Sequence, residues 1–340
     1  MYNGIDSNQS LGEMDYSDVK FDIPILFLVF NRLDVVEKVL EEIRSIRPSK
    51  LYISCDGPRL DRVGEAEQVN MVRNYVISKI DWECKVHYRF SEKNLGCRYS
   101  VSQAISWFFE NEELGIILED DCLPDPSFFQ FCKTLLLLYK DDLSIFSISG
   151  NHFHYKFSHP PCDYFVSRYH HCWGWATWRR SWELYEQDMS SWRYLRDTDW
   201  LLELGNGSKH FAEYWETIFD ATINQSNDSW AYRWLFSCWA NNGLSIIPTS
   251  NLVKNIGFDD RATHTKNIVR WWADLPLESV QFPLVSPEHL QPYTLADKWL
   301  SKFLFRVGNR GFFKKIILRI EEILLFRLYF SAFLKFKPKK

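Results

Sequence analysis

Apolar and polar positions in the first 150 residues follow two alternating patterns. A run of strand formers without polar alternation, typical of a strand buried on both faces, occupies 24–30, and further strands are predicted at 51–55, 84–90 and 115–118. Segments with apolar residues at helical spacing lie between them, at 35–46, 67–80 and 100–113. A helix over 128–139 and a strand over 143–149 follow. This alternation predicts an α/β fold, with a mostly parallel sheet flanked by helices.

The second half of the chain is less regular and rich in tryptophan. Twelve of the fifteen tryptophans fall between Trp173 and Trp272. Such rings pack cores, and flat apolar faces also suit sugar-handling sites. Strand-like segments follow at 245–248 and 251–258. We predict three parts: a disordered tail over 1–20, an α/β domain over 21–270 and a basic, amphipathic helical extension over 271–340.

The charge distribution separates an acidic body from a basic tail. Residues 297–340 hold twelve Lys/Arg and three Asp/Glu, although the whole chain has a net charge of −4. An acidic body argues against nucleic acid as a partner. Interleaved apolar and basic residues predict peripheral contact of 297–340 with an anionic membrane. The alternative is a pair of helices packed on the body or on a second subunit.

Features of other cellular locations are missing from the sequence. No run of eighteen uncharged apolar residues predicts a transmembrane helix, and the polar start lacks the apolar core of a signal peptide. The eight cysteines form neither a CxxC pair nor a zinc-spaced cluster. We therefore expect a cytoplasmic protein, peripheral to the inner face of the membrane.

Three adjacent carboxylates end the fourth predicted strand, in the segment IILEDDCLP. Glu119, Asp120 and Asp121 repel one another, and burying a charge without a partner is costly. Mg²⁺ and Mn²⁺ take oxygen ligands, commonly one or two carboxylates with substrate phosphates completing the shell. The motif therefore predicts either a divalent cation site or an acidic, solvated loop.

Other polar residues follow the first two predicted strands. Asn31 and Arg32 come after the first strand, and Asp56 after the second. Ligands of open parallel sheets bind outside the carboxyl ends of the strands, so these side chains are expected on one rim with the carboxylates. An arginine there suits a diphosphate. The sequence contains neither GxxxxGK[ST] nor GxGxxG, which disfavours ATP hydrolysis and dinucleotide binding.

In combination, these segments resemble the glycosyltransferases of the GT-A fold. The similarity is greatest to the N-acetylglucosaminyltransferase I type and its bacterial hemolytic-protein-like or sugar-transferase relatives. It spans Pro24 to Thr265 and is carried, in order, by PILFLVFNR, ISCDGPR, ILEDDCLPDPSFF, CWGW and ATHT. It implies a metal-dependent, inverting transfer from a nucleotide-diphosphate sugar, a UDP-sugar by this resemblance. The acceptor would be a surface glycan or a lipid-linked saccharide, and the cofactor Mn²⁺ or Mg²⁺.

The resemblance also assigns roles to single residues. Arg32 would face the phosphates, Asp56 the uracil ring and Asp120 the ribose. Asp121 is the expected metal contact, and His264 either approaches the metal or diphosphate or is an ordinary surface histidine. Asn31 and Arg59 complete the expected nucleotide site. The expected sugar and acceptor pocket consists of Glu119, Trp173, Gly174, Trp175 and Trp230.

One expected catalytic group is missing. An inverting transferase needs a general base for the acceptor hydroxyl, and the resemblance implies an Asp that follows a Trp. The sequence reads SWAYRW at 229–234, with Ala231 at that position. Three explanations are open: an engineered inactive variant, which we favour because the rest of the rim is present; substitution of the base by Asp228; or a natural pseudoenzyme.

Two alternative functions accompany this interpretation. A sugar nucleotidyltransferase shares the sheet and the metal, but normally has a Gly-rich loop after the first strand, where this chain has FNRLD. A catalytically inactive protein that binds nucleotide sugar or glycan is the other alternative, and Ala231 supports it.

Overall fold

The structure is a computed structural model that describes residues 21–154, 160–258 and 275–308. Its strands are β1 Ile25–Val29, β2 Lys50–Cys55, β3 Lys85–Phe90, β4 Leu114–Glu119, β5 Cys122–Pro124, β6 Ile145–Ser149, β7 Tyr164–Ser167, β8 Trp175–Trp178, β9 Leu244–Pro248 and β10 Val253–Asn255. Its helices are α1 Leu33–Ile46, α2 Glu65–Ser78, α3 Gly96–Asn111, α4 Pro126–Leu138, α5 Arg179–Trp182, α6 Trp192–Leu195, α7 Trp200–Leu204, α8 Lys209–Ile223, α9 Trp230–Ala240 and α10 Thr294–Trp299. A π-helical segment, Leu300–Leu304, continues α10.

An eight-stranded sheet forms the centre of the molecule, in the order β3-β2-β1-β4-β8-β6-β9-β7. β7 and β8 run antiparallel to their neighbours, and the other strands of this sheet are parallel to one another. β5 and β10 pair separately as a small antiparallel sheet. The predicted α/β class, with a mostly parallel sheet between helices, is confirmed.

Burial explains the sequence pattern of the sheet. Every residue of β1 is buried, as its unbroken apolar run predicts, and β6 is buried throughout although it contains Ser147 and Ser149. α1 covers one face with its apolar positions Val35, Val36, Val39, Leu40 and Ile43, which recur at helical spacing. The antiparallel strand β8 was not predicted, because its four residues lie inside a long aromatic segment without polar alternation.

Tryptophans from the second half build an aromatic core beside the sheet. Trp175, Trp182, Trp230 and Trp234 join one buried cluster with α3 residues such as Phe108. These aromatic residues thus attach α9 to the sheet and to α3, and much of the tryptophan enrichment reflects packing.

The beginning of the basic extension packs on the body. Leu300 is buried, and the Tyr169 and Ser301 hydroxyls share a 2.5 Å hydrogen bond. This favours the packing alternative for residues 297–305. The predicted disordered tail, His264 and the segment 309–340 lie outside the described residues, so the membrane interpretation of 309–340 stays a prediction.

Two further sequence expectations concern the described residues. Among them, no helix combines the length and apolar character needed to cross a bilayer. No disulfide bond joins any of the eight cysteines, all of which are described.

Candidate functional site at the carboxyl end of the sheet

The acidic cluster, defined as Glu119, Asp120 and Asp121, lies where β4 ends beside β1. Leu28 pairs with Glu119 in the parallel ladder, so the residues after β1 reach the cluster directly. The backbone N–H of Phe30 donates to Asp120 Oδ2 at 3.1 Å. The sheet register therefore brings Asn31 and Arg32 next to the carboxylates, as the sequence predicts.

The carboxyl groups of the acidic cluster are all harder to ionise than isolated ones. Burial is the main cause, and the charge of Asp121 adds to it, raising the pKa of Glu119 to about 8 and that of Asp120 to about 7. Burial also raises the pKa of Asp121. A nearby cation would relieve both effects, because it compensates the lost hydration and the mutual repulsion.

The loop after β10 closes one side of the cluster. The N–H of Ile256 donates to the Asp121 carbonyl at 2.8 Å, and a Cβ at Gly257 would collide with the Asp121 carboxylate. Arg32 Nη1 donates to the Gly257 carbonyl at 3.0 Å, and the Arg32 charge lowers the pKa of Asp120 and Asp121 against the stronger effect of burial. The structure thus joins Arg32 to the loop beside the acidic cluster, across 225 residues of sequence.

Asp56, the predicted uracil contact, is engaged with backbone instead in this structure. Its Oδ1 accepts from the N–H groups of Gly57 and Leu95, both at 2.9 Å. Its Oδ2 accepts from Leu95 at 3.1 Å and Gly96 at 3.0 Å. Since a carboxylate offers about four lone-pair sites, these bonds use its accepting capacity. Asp56 therefore fixes the start of α3, and its nucleotide role stays a prediction.

Glu65 organises two other predicted nucleotide residues and was missed by the sequence reasoning. Its carboxylate accepts from Asn31 Nδ2 at 3.0 Å and from Arg59 Nε at 3.0 and 3.1 Å. The Arg59 backbone N–H also donates to it, at 2.7 Å. The hydrogen bonds from Arg59 are the main cause that lowers the pKa of Glu65. No sequence signal marked this residue, because it is the first residue of an ordinary helix.

Trp173 and Gly174 lie next to the acidic cluster because β8 pairs antiparallel with β4. Trp175 is opposite Ile117, so the residues before β8 lie beside those after β4. Gly174 has φ +60°, and a Cβ there would come within 2.7 Å of Val253 Cγ2, so glycine suits both its conformation and its contacts. The half-buried Trp173 packs against Phe258 with ring centroids 5.5 Å apart. Its role in the donor and acceptor pocket stays a prediction.

Trp175 and Trp230 are both buried in the aromatic core. Trp175 has no exposed surface and Trp230 only 4%, and their rings stack 5.9 Å apart. Aromatic packing within the core explains both positions. We assign these two residues a packing role rather than direct contact with a sugar.

The segment around Ala231 approaches the acidic cluster through Cys97. Ala231 is partly buried against the same aromatic core that Cys97 contacts. Burial raises the pKa of the Cys97 thiol, and the charges of Glu119 and Asp228 raise it further. Asp228 is exposed and precedes Ser229, which caps α9. Glu119 and Asp228 therefore both lie close enough to Cys97 for their charges to act on its thiol.

The charge balance of the site fits a divalent cation, although the ligand set is incomplete. Within the described ranges, no three His, Cys, Asp or Glu side chains form a cage that could hold a metal ion. The acidic cluster nevertheless offers carboxylate oxygens, and burial together with the neighbouring charges raises the pKa of Glu119 and Asp120. Mg²⁺ and Mn²⁺ commonly complete their shells with substrate phosphates and water. His264, the remaining candidate ligand, lies outside the described residues.

Comparisons with known proteins add little to this geometry. No protein-family model matches the chain, and no curated protein matches it either. Among solved structures, HddC from Yersinia pseudotuberculosis is 12% identical, with 37% of this chain and 56% of that chain covered and a TM-score of 0.26. TarS residues 1–349 from S. aureus are 8% identical, with 68% and 59% covered and a TM-score of 0.38.

A third structure is 4-diphosphocytidyl-2C-methyl-D-erythritol synthase from Anaerococcus prevotii, which is 9% identical. The matched region covers 59% of this chain and 99% of the synthase chain, with a TM-score of 0.33. This chain thus spans somewhat more than half of the HddC and TarS chains. At these TM-scores the likenesses carry no argument about activity, and the function has to be argued from the site itself.

Proposed function

We propose that this protein transfers a sugar from a nucleotide-diphosphate donor with the help of a divalent cation. The observation that carries the proposal is the acidic cluster, which lies at the carboxyl end of β4 with Arg32 beside it. Carboxylates for a metal and an arginine for phosphate oxygens are the two groups that a metal-diphosphate complex requires. The position outside the carboxyl ends of parallel strands is where such sheets bind ligands.

The residues would divide the donor between them. Asp121, with Asp120, would hold Mn²⁺ or Mg²⁺, and Arg32 would donate to the diphosphate. Bound there, the cation would stabilise the negative charge of the departing nucleoside diphosphate. Asn31 and Arg59, both held by Glu65, would border the nucleotide. The half-buried ring of Trp173 would contact the sugar.

Among the residues that the structure describes, Asp228 is the best candidate for the general base, because Ala231 cannot accept a proton. In an inverting transfer, the acceptor oxygen forms a bond to C1 of the sugar while the C1–oxygen bond to the diphosphate breaks. The acceptor's proton would pass to the Asp228 carboxylate, which is exposed and whose charge, like that of Glu119, acts on the Cys97 thiol. Acceptors with hydroxyl groups, such as surface glycans or lipid-linked saccharides, fit this step.

Calorimetric titration of UDP with and without Mn²⁺ tests the donor site. We expect metal-dependent binding that disappears in Asp121→Ala and persists in Asp141→Ala, an exposed aspartate used as the matched control. UDP binding that is unchanged without Mn²⁺ and unchanged in Asp121→Ala would contradict the proposal and favour the acidic-loop interpretation. Titrating GDP and CDP in parallel tests whether uracil is the preferred base.

A catalytically inactive nucleotide-sugar-binding protein is the second candidate, and Ala231 is the observation that favours it. Assays of UDP-sugar hydrolysis and transfer on this chain, Asp228→Asn and Ala231→Asp distinguish the two. Activity that falls at least about 100-fold in Asp228→Asn supports the base assignment. Activity that appears only in Ala231→Asp identifies a site that has lost its base. A nucleotidyltransferase would instead release pyrophosphate from a nucleoside triphosphate.

A further inference from the structure

A cavity of about 350 Å³ lies on the edge of the sheet opposite the acidic cluster, where β7 ends and β9 begins. Its walls include Trp200, Glu203, Arg168, Trp239 and Asn242. The acidic cluster follows β4, whereas Leu244 in this cavity opens the parallel strand β9, so the two sites lie at opposite ends of the strands. None of the site residues discussed above lines it.

The wall around Arg168 is preformed. Trp239 Nε1 donates to the Arg168 carbonyl at 2.7 Å, and Arg168 Nη1 donates to the Leu204 carbonyl at 2.6 Å. The Arg168 backbone N–H donates to Asp297 Oδ2 at 3.2 Å. Three elements thus fix this arginine, while one acceptor engages its guanidinium group, which has five N–H donors. A preformed wall lowers the cost of ordering side chains when a ligand binds.

The polar groups of the cavity remain open to a ligand. Arg168 and Glu203 line the same space, yet in the described part of the chain they form no ion pair with each other. Glu203 and Asn242 are exposed at the rim. The half-buried Trp200 is held by Trp192 and Phe236, with ring centroids 6.3 and 5.9 Å away. The cavity therefore combines a supported aromatic ring with a cation, an anion and an amide.

This combination excludes several ligand classes. A phosphorylated ligand would meet one lining cation opposed by Glu203, which makes the cavity a poor phosphate site. A lipid chain would leave the charged groups without hydrogen-bond partners. A neutral, polyhydroxylated molecule suits all of these groups. Its C–H face can pack on an indole ring, and its hydroxyls can both donate and accept hydrogen bonds. The volume also falls in the range of about 300–1,000 Å³ for small-molecule sites.

We propose that this cavity is a second saccharide-binding site, which holds one or two sugar rings away from the acidic cluster. The inference rests on the cavity alone and does not require the proposed transferase activity. Saturation-transfer NMR and calorimetry with N,N′-diacetylchitobiose and maltose as probes test it. We expect at least one probe to bind, with affinity about tenfold weaker in Trp200→Ala and in Glu203→Gln.

The controls separate this site from the donor site and from unfolding. Glu183→Gln, at an exposed glutamate outside the cavity, and Asp121→Ala are expected to leave probe binding unchanged. Trp200→Phe, which keeps an aromatic face, is expected to retain part of the affinity, and unfolding midpoints check each variant. The proposal is overturned if neither probe binds, if binding survives both cavity substitutions, or if it disappears in Asp121→Ala.

Discussion

Asp56 offers a test that separates a structural role from the nucleotide role implied by the family resemblance. Asp56→Ala removes a carboxylate that is 7% exposed and accepts from three backbone N–H groups, those of Gly57, Leu95 and Gly96. A buried donor left without a partner costs about 1–3 kcal/mol. Burial raises the pKa of Asp56, which means that burying its charged form is itself unfavourable. Removing the carboxylate ends this cost and so offsets part of the stability lost with its hydrogen bonds.

We therefore expect Asp56→Ala to lower the free energy of unfolding by about 3 kcal/mol, measured by urea denaturation. Asp61→Ala, on the same loop but exposed, is the control and should change it by less than about 0.5 kcal/mol. UDP titration on the folded variant gives the second readout. A loss of stability below about 1 kcal/mol together with abolished UDP binding would refute the structural assignment and restore the uracil contact.

Three other predictions follow from the structure. Arg233→Met should lower the free energy of unfolding by about 3–5 kcal/mol, because the buried guanidinium donates to three backbone carbonyls. The control Arg193→Met, at an exposed arginine, should lower it by less than about 0.5 kcal/mol, and urea denaturation measures both. Burial lowers the pKa of His170 to about 3 from 6.5, so the unfolded chain binds a proton more readily and stability should fall as the pH drops from 6.5 towards 3, by up to about 1.4 kcal/mol per pH unit. Urea midpoints at several pH values measure this fall, and an unchanged slope in His170→Phe would contradict it. Because the pKa of Glu119 is raised to about 8, cation binding should release protons near neutral pH and tighten as the pH rises to 8, which calorimetry in buffers of different ionisation enthalpy detects.

Much of the sheet could be predicted from the sequence, because most of its parallel strands have a local sequence pattern. β1, β2 and β4 are mainly apolar, β3 and β6 mix strand-forming apolar residues with polar ones, and the helices between the strands carry apolar residues at helical spacing. Parallel strands place their carboxyl ends on one edge of the sheet. The sequence therefore also predicted that Arg32 lies close to the acidic cluster. The antiparallel β8 escaped prediction since its aromatic residues satisfy a strand and a helix equally well.

The sequence by itself determined which residue types reach the rim of the sheet, since the strand ends and their polar residues are adjacent along the chain. Tertiary structure alone decided what those residues contact. Asp56 bonds to backbone forty residues away, Glu65 gathers Asn31 and Arg59, and Trp175 turns into the core. The opposite cavity likewise joins Arg168 to Glu203 and Asn242 through folding. Hydrogen bonds and ring packing between distant segments leave no periodic trace in a sequence, because their partners are fixed only when the sheet brings them together.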